Sequence, residues 1–307
     1  MFLERFHVSA TGHSLNYLPE YIAQRHGFFK EQGINVTVTV PKPWDLVLDE
    51  LENKTAEAAL GGIWVPSMYR NRSTNYTVFA QLSNRSPLAL VARGTSEGFK
   101  LSDTVGRTVL MKSGNGASVG LFFKMLLAEN GIDPNSVNFI QDLDGVMMRK
   151  LFQGGMGDYF VVDNVTARVM AHNDPSVSVA MQMVEDGGYI PWSVYYHQTS
   201  DVQPAIVDAQ TRFCAALNKA MQWVQDNEPE TYQDELAELF PAVPIQILVD
   251  LVNLYRENGM WSSPTVNPQG YERWQHGIAN GHLIQEPIPY SAIINSGPSS
   301  MSHTVAK

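Results

Sequence analysis

Residues 5–12, RFHVSATG, alternate polar and apolar side chains, the two-residue period of a strand with one buried face. The period then changes. In NYLPEYIAQRHGFF (16–29), Leu18, Tyr21, Ile22 and Phe29 fall mostly at helical spacing. GINVTVTVPKP (33–43) is β-branched and ends in prolines, which predicts a second strand and its stop. WDLVLDELENKT (44–55) predicts a short helix and AEAALGGIW (56–64) the next strand. This β-α-β-α-β order builds a parallel sheet through right-handed crossovers.

The plan returns further along. GRTVLMKSGNGASVGLFFKMLLAENGI (106–132) reads as strand, polar loop, helix and glycine stop. Val119, Phe122, Phe123, Leu126 and Leu127 fall on one helical face. VNFIQ (137–141) is a strand, DLDGVMMRKLFQGG (142–155) a helix and GDYFVVDN (157–164) a strand. Two α/β lobes of similar build are therefore expected, without the identity of a repeat. From about Val202 the periodicity is helical, punctuated by Pro and Gly. The last stretch, ending SGPSSMSHTVAK, is polar and reads as a loose tail.

Composition narrows the classes. A chain of 307 residues is more than one small core holds, which fits two lobes. The net charge of -10, with no clustered run of Lys and Arg, argues against nucleic acid as a partner. No run of 18 apolar residues predicts a membrane span. The single cysteine, Cys214, excludes an internal disulfide and a CxxC site, and it sits on the apolar stripe of a helix. The eight histidines have no metal-ligand spacing, so neither a metal nor a cofactor is expected. The N-terminus lacks a basic n-region and an apolar h-region. Either the protein is cytoplasmic and Met1 is its true start, or a signal was removed and the protein is periplasmic or otherwise extracytoplasmic.

LNYLPEYIAQRHGFFKEQGINVTV (15–38) resembles the opening of the NMT1/THI5-like substrate-binding proteins, with Ala23, Gly27, Phe29 and Gly33 at the pattern positions. AALGG (58–62), LALVARG (88–94), LSDTVGRTV (101–109) and GGYIPWSVYY (187–196) extend the likeness over roughly residues 5–280. The resemblance implies an α/β, two-lobed type II periplasmic-binding-protein fold with two hinge strands and a helical C-terminal region. The hinge crossings would fall near Val91–Gly94 and Val194–His197. Residues 1–92 plus 197–307 would form lobe one, and 93–196 lobe two.

In such folds the ligand sits at the carboxyl ends of the strands. Thr11, His13, Ser14 and Asn16 follow the first strand and would face the cleft, or Ser14 or Asn16 simply caps the next helix. Gly62, beside Gly61, permits close backbone approach, and Trp64 could stack on a planar ligand or pack in the core. Ser83 and Arg85 precede the hinge, where Arg85 could fork a carboxylate or sulfonate. Ser113, Asn115, Gly116, Ala117 and Ser118 open a helix, whose N-terminal N–H groups form an anion seat or need only an ordinary cap. Asp163 and Asn164 end a strand, and Trp192 would supply an aromatic wall or pack the hinge.

Two functions follow. One is a receptor that binds a small organic anion or planar aromatic compound and delivers it to an ABC-type permease. The other is a cofactor-independent decarboxylase, dehydratase or lyase on the same fold, with His13, Arg85 and Asp163 as acid/base residues. The family's pyrimidine synthases carry a Lys and a His after the AALGG region, plus a cysteine cluster. GGIWVPSMYRN (61–71) has neither Lys nor His, which argues against that activity. Desulfinases of related fold need a Cys near the first loop, and Cys214 lies far from it. The receptor is the favoured reading.

Overall fold

The computed structural model describes residues 3–72, 74–111, 117–141, 143, 145–201 and 203–305, with the backbone alone at 117, 201 and 302–305. The chain opens with β1 (Glu4–Ala10), α1 (Leu18–Arg25), α2 (Phe28–Glu31), β2 (Ile34–Thr39), α3 (Val47–Glu52), β3 (Ala58–Gly61), α4 (Trp64–Tyr69) and β4 (Tyr76–Ser83). It continues with β5 (Leu88–Arg93), β6 (Thr108–Met111), α5 (Ala117–Glu129), β7 (Asn138–Ile140), α6 (Gly145–Gln153), β8 (Tyr159–Asp163), α7 (Asn164–Asn173), β9 (Val177–Gln182) and α8 (Met183–Asp186). After β10 (Ser193–Gln198) come α9 (Pro204–Asp226), α10 (Gln233–Leu239), α11 (Ile245–Glu257), α12 (Pro268–Asn280), α13 (Tyr290–Ile293) and α14 (Gly297–Val305).

The strands form two five-stranded sheets, ordered β2-β1-β3-β10-β4 and β7-β6-β8-β5-β9. In the first, β1 runs parallel to β2 and β3, while β10 is antiparallel to β3 and β4. The second repeats the arrangement: β6 is parallel to β7 and β8, and β5 is antiparallel to β8 and β9. The alternation of β2 reports one exposed face, whereas β5 and β10 are buried almost throughout. Gly27 adopts φ +74 between α1 and α2, a left-handed bend that glycine takes without steric cost.

The registers locate the crossings. Ser83 pairs with Ser193, and Val194 with Gly61, at the carboxyl end of β3. Leu88 pairs with Asp163 at the carboxyl end of β8. The chain therefore changes sheets at 84–87 and again at 183–192, and both times it joins the carboxyl ends of the parallel strands. The expected crossing at Val91–Gly94 falls on the last residues of β5 and the glycine after it, and that at Val194–His197 within β10; the expected boundaries at 92/93 and 196/197 lie inside the same strands. Strands buried on both faces lose the period-two phase that would have assigned them to a sheet.

One apolar cluster joins a face of the first sheet to α1, α9 and α11, through Phe6, Phe79, Phe213, Leu217 and Leu248. Cys214 is buried in it, as its place on the apolar stripe predicts, and burial pushes its thiol pKa up. A second cluster runs from the other face of the first sheet into the second sheet and α12, through Val78, Tyr196, Leu90, Phe122 and Trp274. A third holds α6 and α7 against the second sheet. The expected loose tail is also different: α14 packs against α9 and β4, and Ile294 bridges to Val78. No helix of the described residues is long and apolar enough to cross a membrane.

Candidate functional site

The loop after β1 is held from below. Thr11 N donates to Leu60 O at 3.0 Å, which ties the loop to β3. Thr11 Oγ1 lies 3.5 Å from the Tyr17 hydroxyl. Asn16 is buried, and its amide donates to Ser83 Oγ at 2.9 Å and Ser193 Oγ at 3.2 Å. Its carbonyl accepts from Ser83 Oγ at 3.0 Å and from the Trp261 indole N–H at 2.9 Å. Ser14 Oγ donates to Asn16 Oδ1, and Ser14 N donates to the Tyr21 hydroxyl. Asn16 and Ser83 thus fasten the loop to the roots of both crossings. His13 turns outward: its ring stacks on Tyr21 and lies tilted against Phe240, both at 4.8 Å, and Nε2 meets Leu239 O at 3.0 Å.

The end of β3 supplies the floor. A Cβ at Gly61 would lie 3.0 Å from the Thr11 methyl and 3.4 Å from the Tyr196 hydroxyl. A Cβ at Gly62 would lie 2.5 Å from the Trp64 indole. Glycine at 62 lets that indole lie on the backbone, where it meets Trp44 edge-on at 6.2 Å. The Tyr196 hydroxyl is buried and has no hydrogen-bond partner among the described residues. Burial pushes the Tyr17 and Tyr196 pKa values upward, so both hydroxyls stay protonated donors at neutral pH. Thr11, Tyr17 and Tyr196 therefore bring three hydroxyls to the strand ends beside a half-buried indole. Tyr17, Ser193 and Tyr196 were missed in the sequence, because they stand in runs that read as core.

The remaining candidates take other places. Arg85 lies in the first crossing, donates from Nη1 to Val184 O at 3.0 Å and sits over the Tyr189 ring. Trp192, in the second crossing, packs edge-on to Phe122 at 5.5 Å and stacks near Trp274. Asp163 ends β8 and caps α7 by accepting from Thr166 N at 2.9 Å. Asn164 is buried; its backbone N–H donates to Pro87 O and its amide to the Tyr255 hydroxyl. Ser118 is half-buried in the first turn of α5. Ser113, Asn115 and Gly116, and the side chain of Ala117, lie outside the described residues. No hydrogen bond joins His13, Arg85 and Asp163 to one another among the described residues.

A carboxyl that sequence reading passed over lies behind the floor. Glu20, on α1, is fully buried and accepts from the Tyr195 hydroxyl at 2.7 Å. Its other oxygen, Oε1, is buried without a partner among the described residues. Desolvation raises its pKa to about 7, and the Tyr195 hydrogen bond offsets only part of that rise. Its only sequence signal is an acid flanked by Leu18, Tyr21 and Ile22.

Comparison with known proteins agrees with this architecture. YtlA of Bacillus subtilis (strain 168), named as a binding protein, is 26% identical over 299 residues, which span 95% of this chain and 88% of YtlA. The structure of the periplasmic aliphatic sulphonate binding protein SsuA from Escherichia coli superposes with a TM-score of 0.69 at 13% identity, over 93% of this chain and 95% of SsuA. The periplasmic nitrate-binding protein NrtA from Synechocystis PCC 6803 does so with a TM-score of 0.69 at 13% identity, over 99% of this chain and 89% of NrtA. At such identities the likeness establishes the periplasmic-binding-protein fold. The sequence profile of the NMT1/THI5 like family matches residues 14–231, and the chain belongs to that family.

Proposed function

We propose that the protein is the substrate-binding component of an ABC-type importer and holds a small molecule between two lobes, at the carboxyl ends of the parallel strands. The observation that carries this is the position of both crossings. They join the two sheets at the strand ends, where Thr11, Tyr17 and Tyr196 gather hydroxyls beside the Trp64 indole. Such a site binds by closing two lobes around a ligand and needs no reacting side chain. The partners of His13, Arg85 and Asp163 favour binding over chemistry: a backbone carbonyl, a second carbonyl with a ring, and a helix N-terminus. In this reading one lobe is built on the first sheet with α9 and α11, and the other on the second.

The ligand we infer is small and planar or anionic. Hydroxyl donors and an indole suit a flat ring with acceptor atoms. SsuA is named for aliphatic sulphonate and NrtA for nitrate, both small anions, and the start of α5 would be the anion seat in this chain. By the same likeness the protein would work outside the cytoplasm with a permease as its partner.

Native mass spectrometry of the purified protein, followed by thermal shift with aromatic acids, sulfonates and pyrimidines, tests the proposal. A ligand that raises the melting temperature and is recovered unchanged supports it. Trp64→Ala should then weaken binding by about tenfold, the scale of losing one aromatic wall. Recovery of the ligand with an altered mass would overturn the receptor in favour of an enzyme.

A further inference from the structure

A second pocket, of about 400 Å3, lies where the two crossings meet the end of α11. Arg85, Tyr189, Gln222, Gln225, Arg256 and Trp261 line it together with the solvent-exposed Glu257, and it shares none of Thr11, Tyr17, Gly62 and Trp64. Its charges are unequally matched. Arg256 is paired with Glu228 at 2.8 Å and its side chain is only 10% exposed, yet its Nε is buried without a partner among the described residues. Arg85 also has a buried Nε without a partner, and no carboxylate lies within ion-pair reach of it among the described residues. Its Nη1 is occupied by Val184 O and Glu185 O, and the Tyr189 ring holds its plane at 4.2 Å. A guanidinium fixed on one edge and unmatched on the other is prepared for a planar oxyanion.

We propose that this pocket is a second ligand site that takes a small monocarboxylate with a flat body. Arg85 is the cation a carboxylate would meet, and the exposed Glu257 on the same wall disfavours a second negative charge on the ligand. The rings of Tyr189 and Trp261 offer flat walls, and the amides of Gln222 and Gln225 offer hydrogen bonds to polar edges of the body. The site is separate in space from the cleft but is wired to it. Trp261 donates to Asn16 O, and the Asn16 amide reaches Ser83 and Ser193, the roots of both crossings. An occupant would touch both segments that any lobe motion must bend, so its affinity and that of the cleft ligand would be reciprocally linked.

The test uses para-bromobenzoate. Calorimetric titration should give saturable one-to-one binding, and the anomalous signal of bromine in a soaked crystal should place the probe against Arg85. Arg85→Met should weaken binding by about tenfold or more, the scale of one charge-assisted hydrogen bond. Gln222→Phe, at an exposed position of α9, fills the pocket without touching Arg85 and should weaken binding while the melting temperature stays close to that of the parent. No saturable binding to the parent protein would overturn the site. So would an affinity unchanged in both variants. A bromine peak only at Thr11 and Gly62 would overturn it too, while leaving the cleft as a binding site.

Discussion

Glu20 carries its carboxyl from α1 toward β10, where the Tyr195 hydroxyl donates to one oxygen and the other is unpartnered among the described residues. The pKa rises from 4.5 to about 7 because burial disfavours the charge. The folded state therefore holds this proton more tightly than the unfolded chain does. The stabilising contribution is complete below pH 4.5 and is lost as pH rises toward about 7. Across that window the linkage is worth on the order of 3 kcal/mol. Glu20→Gln keeps an acceptor for Tyr195 and removes the ionisation. Urea denaturation of parent and variant should show the variant gaining stability relative to the parent as pH rises through the window, with no further gain above it. Parallel pH profiles would mean that Glu20 ionises as an ordinary surface acid.

At the scale of elements, Asp163 illustrates how a residue type can mislead. An acid at a strand end reads as ligand chemistry, and the structure gives it the task of capping α7 through Thr166 N. Asp163→Ala should cost about 1 kcal/mol in chemical denaturation, and Asp163→Asn should recover most of it, because an amide oxygen caps nearly as well. A loss of ligand affinity with unchanged stability would instead assign it to the cleft. The same contrast explains what could be read in advance. The strands and helices of the first β-α-β-α-β unit show clear two-residue and helical periods, and the fold class follows from their order. β5 and β10 are apolar on both faces, so nothing in LALVAR or SVYYHQ says which sheet each joins. Thr11, Gly62 and Trp64 can be picked out as candidates because they follow strand ends, and the structure puts them beside one another. Tyr17 and Tyr196 cannot, because a tyrosine in an apolar run reveals its ring and conceals where its hydroxyl ends.

At the scale of the whole molecule, the question is whether two sheets make two folding units. The apolar core answers it, because one cluster passes from Val78 and Tyr196 on the first sheet through Phe122 and Leu90 on the second to Trp274 of α12. Arg273, the residue just before that tryptophan, grips Glu129 at the end of α5 with both Nε and Nη2, at 2.8 and 2.6 Å. Its Nη1 also donates to Gly187 O in the second crossing at 2.6 Å. Neither sheet can lose its packing without opening this shared cluster. Differential scanning calorimetry should therefore show one transition, with equal calorimetric and van't Hoff enthalpies. Arg273→Ala removes a partly exposed ion pair along with the Gly187 contact, so it should lower stability by only about 1 kcal/mol and preserve the single transition. Its larger effect should fall on the cleft, since the second crossing loses its clasp to α12 while the core is left intact. A severalfold change in ligand affinity with a nearly unchanged melting temperature would place Arg273 among the groups that set lobe closure. Two resolved transitions in the parent protein would show instead that the continuous cluster does not couple the sheets, and closure would then have to be sought in the crossings alone.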